Sequence, residues 1–188
     1  MTLPAVAGRI NNYQVMCKNS AKSAGFTLLE LMMTIAIAGI LVTMAIPSFN
    51  LTISSNRLTN YANDLVGALN LARSEAVKRG MQVTILSNSG TASDWDAGWT
   101  VFTDSNVIGV IDGSDTVLRT YPQLTSGYTL RTGGNYTLWI AYFPTGLITS
   151  STGRNNDTFR LCNATDSRAI TINLVGRALV LTVAASCP

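Results

Sequence analysis

A single carboxylate, Glu30, stands in a run that is otherwise uncharged from Gly25 to Ile46 and almost wholly apolar. A carboxylate in an apolar medium is costly unless a cation pairs with it, so the chemistry expected of Glu30 is ion pairing. Just ahead, the Gly25-Phe26 junction separates this run from a polar leader containing Lys18, Asn19, Ser20, Lys22 and Ser23. The junction is placed for proteolytic removal of that leader. Two thiols, Cys162 and Cys187, lie in strand-like sequence near the C-terminus, and a third, Cys17, lies in the leader. In a membrane-anchored chain facing an oxidising compartment, the first two suggest one disulfide, worth roughly 3 kcal/mol by the chain-entropy argument. The other reading is two buried thiols. With no histidine and no third thiol near them, no metal or other cofactor is expected.

The same inventory argues against an enzyme. Without histidine there is no Ser-His-Asp or Cys-His arrangement, and no Gly-Lys-Ser/Thr phosphate loop occurs. Glu75, the only other glutamate, sits in a Ser-Glu-Ala-Val-Lys-Arg stretch of exposed helical character, and Asp94 and Asp96, flanking Trp95, read as a turn. Asp104, Asn106, Gly109 and Asp115 occupy the first, third, sixth and twelfth places of a calcium-loop pattern. Ile108 in the fifth place and the want of flanking helices favour a hairpin with acidic turn residues instead.

Charge is unevenly placed. The leader carries Arg9, Lys18 and Lys22 with no acid, and these account for the whole formal charge of +3, leaving the rest balanced. Within that remainder, Asp94, Asp96, Asp104, Asp112 and Asp115 fall in a stretch with no lysine or arginine. Arg119, Arg131, Arg154, Arg160, Arg168 and Arg177 follow, with only Asp157 and Asp166 among them. Gathered on one face, the six would make a positive field; the other reading spreads them around a solvated sheet.

These groups need elements to hold them. Phe26 to Ile46 in helical form spans roughly 32 Å, enough to cross a bilayer. The lysines before it put the N-terminus in the cytoplasm and the C-terminus outside it. Pro47 should kink or loosen the helix. Beyond it, Leu58, Tyr61, Leu65, Leu69, Ala72 and Ala76 recur at three and four residues, an amphipathic helix ending at Lys78-Arg79-Gly80. From Gln82 the period changes. Residues 82–87, 98–104, 116–121, 136–143, 158–163, 169–175 and 178–184 read as seven β-strands. The chain therefore divides into a leader (1–25), a transmembrane helix (26–46), an amphipathic helix (47–80) and a β-rich head (81–188). The fold class is α+β, one long N-terminal helix packed on an antiparallel sheet.

Gly-Phe-Thr-Leu-Leu-Glu, with Glu30 fifth after the junction, the apolar run and Pro47 in register, resembles the N-terminal signature of type IV pilins and pseudopilins. The resemblance implies cleavage between Gly25 and Phe26 by a prepilin peptidase and N-methylation of Phe26. It also implies pairing of Glu30 with a neighbouring subunit's N-terminal amine as a filament assembles on an inner-membrane platform. The head extends this. Ala-Arg-Ser-Glu-Ala-Val-Lys-Arg-Gly, Asp-Ala-Gly-Trp-Thr-Val-Phe-Thr-Asp, Tyr-Phe-Pro-Thr-Gly and Phe-Arg-Leu-Cys-Asn are similar to the FimT/GspH group of minor pilins and pseudopilins. That group implies a two-sheet head, a Cys162–Cys187 disulfide, other pilins as partners and a part in priming assembly near the filament tip. Some of its members bind DNA through Gly-Arg-x-Arg near the C-terminus. Here the matching residues are Gly176, Arg177, Ala178 and Leu179, so the second arginine is missing. Arg177, with Arg154 in a Ser-Thr-Gly-Arg-Asn-Asn loop, is the candidate DNA contact. Two other expectations stand beside the filament subunit: a DNA receptor for natural transformation, and a type II secretion pseudopilin that touches exported proteins.

Overall fold

The computed structural model describes residues 25–182, with side chains described throughout except at residues 44–48 and 50. The leader with Cys17, the end of the expected span, the Pro47 side chain and Cys187 lie outside those descriptions. One helix, α1 (Leu28–Arg79), is followed by nine strands: β1 (Val83–Ser87), β2 (Trp99–Thr103), β3 (Val117–Tyr121), β4 (Thr129–Thr132), β5 (Trp139–Tyr142), β6 (Ile148–Ser150), β7 (Asp157–Cys162), β8 (Ser167–Ile172) and β9 (Ala178–Thr182). The chain forms two compact units, residues 1–44 and 45–188. Helix α1 runs through Pro47.

Thr27 starts the helix. Its Oγ1 accepts the Glu30 N–H at 3.2 Å, as an N-cap threonine does, and the Leu31 N–H reaches the Thr27 carbonyl at 3.1 Å. At the other end Gly80, with a φ of 67°, closes the last turn as the sequence predicts, its N–H bonding the Ala76 carbonyl.

In the second unit the strands make two antiparallel sheets, β3-β2-β1-β5-β6 and β4-β7-β8-β9. The inner faces of both share one core with α1. Leu58, Leu65, Leu69, Ala72 and Ala76 are buried, Tyr61 is half-buried, and Ala62 and Ala68 join the same stripe. Four alanines on that face leave room for the helix backbone to lie close to the sheets' large residues: Ile85, Trp99, Val101, Ile140, Tyr142, Phe159 and Ile170. Hydroxyls tie α1 down at the rim. Tyr61 Oη lies 2.8 Å from Thr125 Oγ1, Asn163 donates to Ser54 Oγ at 2.7 Å, and Arg168 donates to Ser55 Oγ at 3.1 Å.

The strand count corrects the sequence expectation of seven. Strands β4 and β6 have four and three residues, too short for an alternating pattern to stand out from the Thr-, Ser- and Gly-rich sequence around them. The expected strand at 136–143 shrinks to Trp139–Tyr142. Residues 133–136 are instead drawn to Asp157, whose carboxylate accepts the N–H groups of Gly133, Asn135 and Tyr136 at 2.8–3.1 Å. The strand expected to reach residue 175 stops at Ile172, because Asn173 begins the turn into β9.

Candidate functional site

The N-terminal part of α1 is apolar on every side. Leu28, Leu29, Leu31, Met32, Met33, Ile35, Ile37, Ile40 and Leu41 are 57–77% exposed. Its hydroxyls are satisfied inside the helix: Thr34 and Thr43 each donate at 2.8 Å to the carbonyl three residues earlier. Such back-bonding lets a polar side chain sit where no water reaches it. Glu30 is the one ionisable side chain between Phe26 and Asn56, and it is exposed in the first turn. There its negative charge faces the positive end of the helix dipole. The capping role of Thr27 was visible in the sequence, since Thr-Leu-Leu-Glu has the capping-box spacing, although ion pairing was the only role read there for Glu30. Among the described residues no helix is long and apolar enough to cross a membrane. The span expected from the sequence runs to Ile46, into residues 44–48, whose side chains are not described.

The head carries the remaining candidates. Arg177 follows Gly176 in the β8–β9 turn, where Asn173 Oδ1 accepts the Val175 and Arg177 N–H groups at 3.1 and 2.9 Å. Gly176 is required. Its φ is 73°, its carbonyl accepts the Tyr142 hydroxyl at 2.8 Å, and a Cβ there would stand 2.7 Å from the Tyr142 ring. Arg154 lies in the β6–β7 connection, which enters β7 at Asp157, the register partner of Ile172 just before that same turn. The two arginines thus lie at one end of the four-stranded sheet. Both are exposed, and neither guanidinium has a hydrogen bond or ion pair among the described residues. Leu179, where a second arginine was expected from the resemblance, is exposed on β9.

Three of the other arginines are engaged elsewhere, and Arg160 is exposed on β7 opposite Arg131. Asp94 and Asp96 hold Arg131, at 2.9 Å for Asp94 and by a shorter contact for Asp96, and this pairing raises the guanidinium's already high pKa. Arg119 stacks 4.6 Å over the Tyr121 ring, and Arg168 turns to α1. The two aspartates form more than a turn. Asp96 also accepts the Leu130 N–H at 2.6 Å and so binds the segment before β2 to β4. Between them Trp95 is fully buried, donates to the Tyr136 carbonyl at 3.1 Å and meets Phe159 edge-on.

The acidic 104–115 segment is a β2–β3 hairpin loop whose carboxylates are used internally. Asp104 Oδ2 accepts from Thr84 Oγ1 and the Gly109 N–H, Asp115 accepts from the Ser105 and Asp112 N–H groups, and Asp112 accepts from Ser114 and Asn106. The Ser114 bonds pull the Asp112 carboxyl below its ordinary pKa. Among the described residues no group of three or more His, Cys, Asp or Glu side chains is arranged to hold a metal ion. Cys162 is buried at the end of β7, and its expected partner, Cys187, lies outside the described residues.

A long helix, apolar and exposed at its start and buried in a two-sheet head at its end, defines the pilin fold. The model for the type II transport protein GspH matches residues 61–176, and the prokaryotic N-terminal methylation motif matches residues 20–46. The chain belongs to the GspH family, and it is a membrane-anchored subunit of the type IV minor pilin or pseudopilin class. The fold is similar to the type IV minor pilin FimU of Pseudomonas aeruginosa strain PAO1 in two crystal forms. In one the TM-score is 0.56 at 21% identity, over 68% of this chain and 90% of that one. In the other it is 0.53 at 22% identity, over 66% and 92%. No curated protein matches the chain. The family and the structural neighbours are structural subunits rather than enzymes.

Proposed function

We propose that this chain is a minor subunit of a type IV pilus-like filament, cleaved between Gly25 and Phe26 by a prepilin peptidase and N-methylated at Phe26. Before assembly residues 26–46 anchor it in the inner membrane with the head in the periplasm. An assembly platform then inserts it among other pilins, where it primes the filament near the tip. The observation that carries this reading is the lone acid in the N-terminal part of α1, which has no polar face. A helix apolar all round is buried in lipid or among other helices, and in either medium Glu30 needs a cation. The N-terminal amine of a neighbouring Phe26 supplies one. The proposed Cys162–Cys187 bond would fasten the C-terminus to β7.

The test is incorporation. Glu30→Ala and Glu30→Gln should both be processed at Gly25 yet fail to enter filaments. The glutamine variant retains the capping geometry and loses only the charge, so normal incorporation of it would remove the pairing argument.

Two other readings each have one observation behind them. Arg154 and Arg177, exposed together without partners, favour DNA contact in transformation. A gel shift with residues 51–188 that shows no binding at low salt would end that reading. The family match to a type II transport protein favours a secretion pseudopilin contacting exported proteins. Deleting the gene and scoring piliation, transformation and secretion separately divides the three.

A further inference from the structure

The β2–β3 loop displays what a soluble surface normally hides. Val107, Val110 and Ile111 are 43–59% exposed, and Ile108 is 41% exposed beside a cavity of about 410 Å³ lined by Met81, Gln82, Asp104, Ser105, Asn106 and Ile108. The carboxylate in that cavity is 4% exposed. Its Oδ2 takes both hydrogen bonds described above, while Oδ1 has none among the described residues. The loop is held in shape by its own aspartates, so docking against it loses little conformational entropy. Asp112 and Asp115 stand in the same loop, and no lysine or arginine occurs between Gly80 and Leu118. Cavity and loop together ask for a cation flanked by aliphatic side chains.

The β8–β9 turn has that composition. Arg177 is exposed with an unpartnered guanidinium, and Leu174 and Val175 beside it are 59% and 46% exposed. The turn is rigid as well, pinned by Asn173 Oδ1 and by the Tyr142–Gly176 bond. We infer that the β8–β9 turn of one copy of this chain docks on the β2–β3 loop of a second copy, Arg177 entering the Asp104 cavity and Leu174 and Val175 packing on Val107 and Ile108. Opposite charge sets the register and the aliphatic contact supplies the burial. This contact goes beyond the filament reading, since it joins heads rather than helices.

Photo-crosslinking of the full-length chain in membranes tests it. A benzoylphenylalanine probe at Val175 in one copy should form an adduct with a differently tagged second copy, mapping to residues 104–111. Arg177→Glu in the probe-bearing copy should cut the adduct about tenfold, as facing like charges disfavour a contact. Ile108→Arg in the other copy should do the same, and the two variants combined should restore it. Each variant replaces an exposed side chain, and unchanged melting of each verifies the fold. An adduct elsewhere on the second copy, an adduct indifferent to both charge changes, or one only with another pilin or with DNA overturns the inference. The outcome is independent of Glu30. A chain that enters filaments but gives no adduct fails here alone, and one that gives the adduct but never enters filaments fails the filament reading alone.

Discussion

At Asp96 one carboxylate oxygen takes both the Leu130 N–H and the Arg131 guanidinium. Without it Arg131 keeps Asp94 but the Leu130 N–H loses its acceptor, so Asp96→Ala should destabilise the head by about 1–3 kcal/mol, the cost of stranding such a group, with partial exposure favouring the low end. Urea unfolding of the head measures it. Tyr136 is the opposite case. It is fully buried, yet its hydroxyl has no partner among the described residues, so Tyr136→Phe should leave stability at neutral pH unchanged or slightly higher. Burial raises its phenol above the ordinary value of 10.0. The folded protein therefore keeps the proton where the unfolded chain sheds it, so the stability is complete below about pH 10 and falls as pH rises past it. Tyr136→Phe should make that alkaline fall shallower, which melting at pH 9, 10 and 11 would show. An unchanged slope would contradict the burial argument. Little of this was legible in the sequence. Asp94 and Asp96 read as a turn because their partner, Arg131, lies far along the chain, in a strand too short to announce itself.

Helix α1 was the most legible element. Its heptad-like stripe needs only local spacing, and each residue of that stripe is buried or half-buried as expected. Leu69→Ala, fully inside the core, should cost about 2–5 kcal/mol, read as a fall in the urea midpoint with unchanged slope. The strands were legible where β-branched residues ran for five or more positions. They were misjudged where an acid or an asparagine captured the backbone, as Asp157 does at 133–136 and Asn173 at the turn. Gly176 shows how such a turn is specified. Gly176→Ala would meet both an unfavourable φ and the Tyr142 ring, and should destabilise by about 1–3 kcal/mol, detectable as a lower melting temperature of the head.

At the scale of the whole molecule, the sequence pointed to membrane anchoring, the α+β class and the family, because the leader junction, Glu30 and the apolar run must all be in register. The two-sheet pairing rests on long-range register that periodicity does not encode, and it was foreseen only through the resemblance. The second unit begins at Ala45, and its buried stripe begins at Leu58. A chain starting at residue 51 should therefore fold, with a cooperative melt and full near-ultraviolet dichroism. One starting at residue 66, which removes Leu58, Tyr61, Ala62 and Leu65, should not. Asp157 has a consequence of its own for proteolysis. Its carboxylate gathers four backbone amides, those of Gly133, Asn135, Tyr136 and Thr158. A protease must pull its substrate into an extended strand to cut it, so residues 133–136, glycine-rich and without regular structure, are shielded from digestion by one side chain.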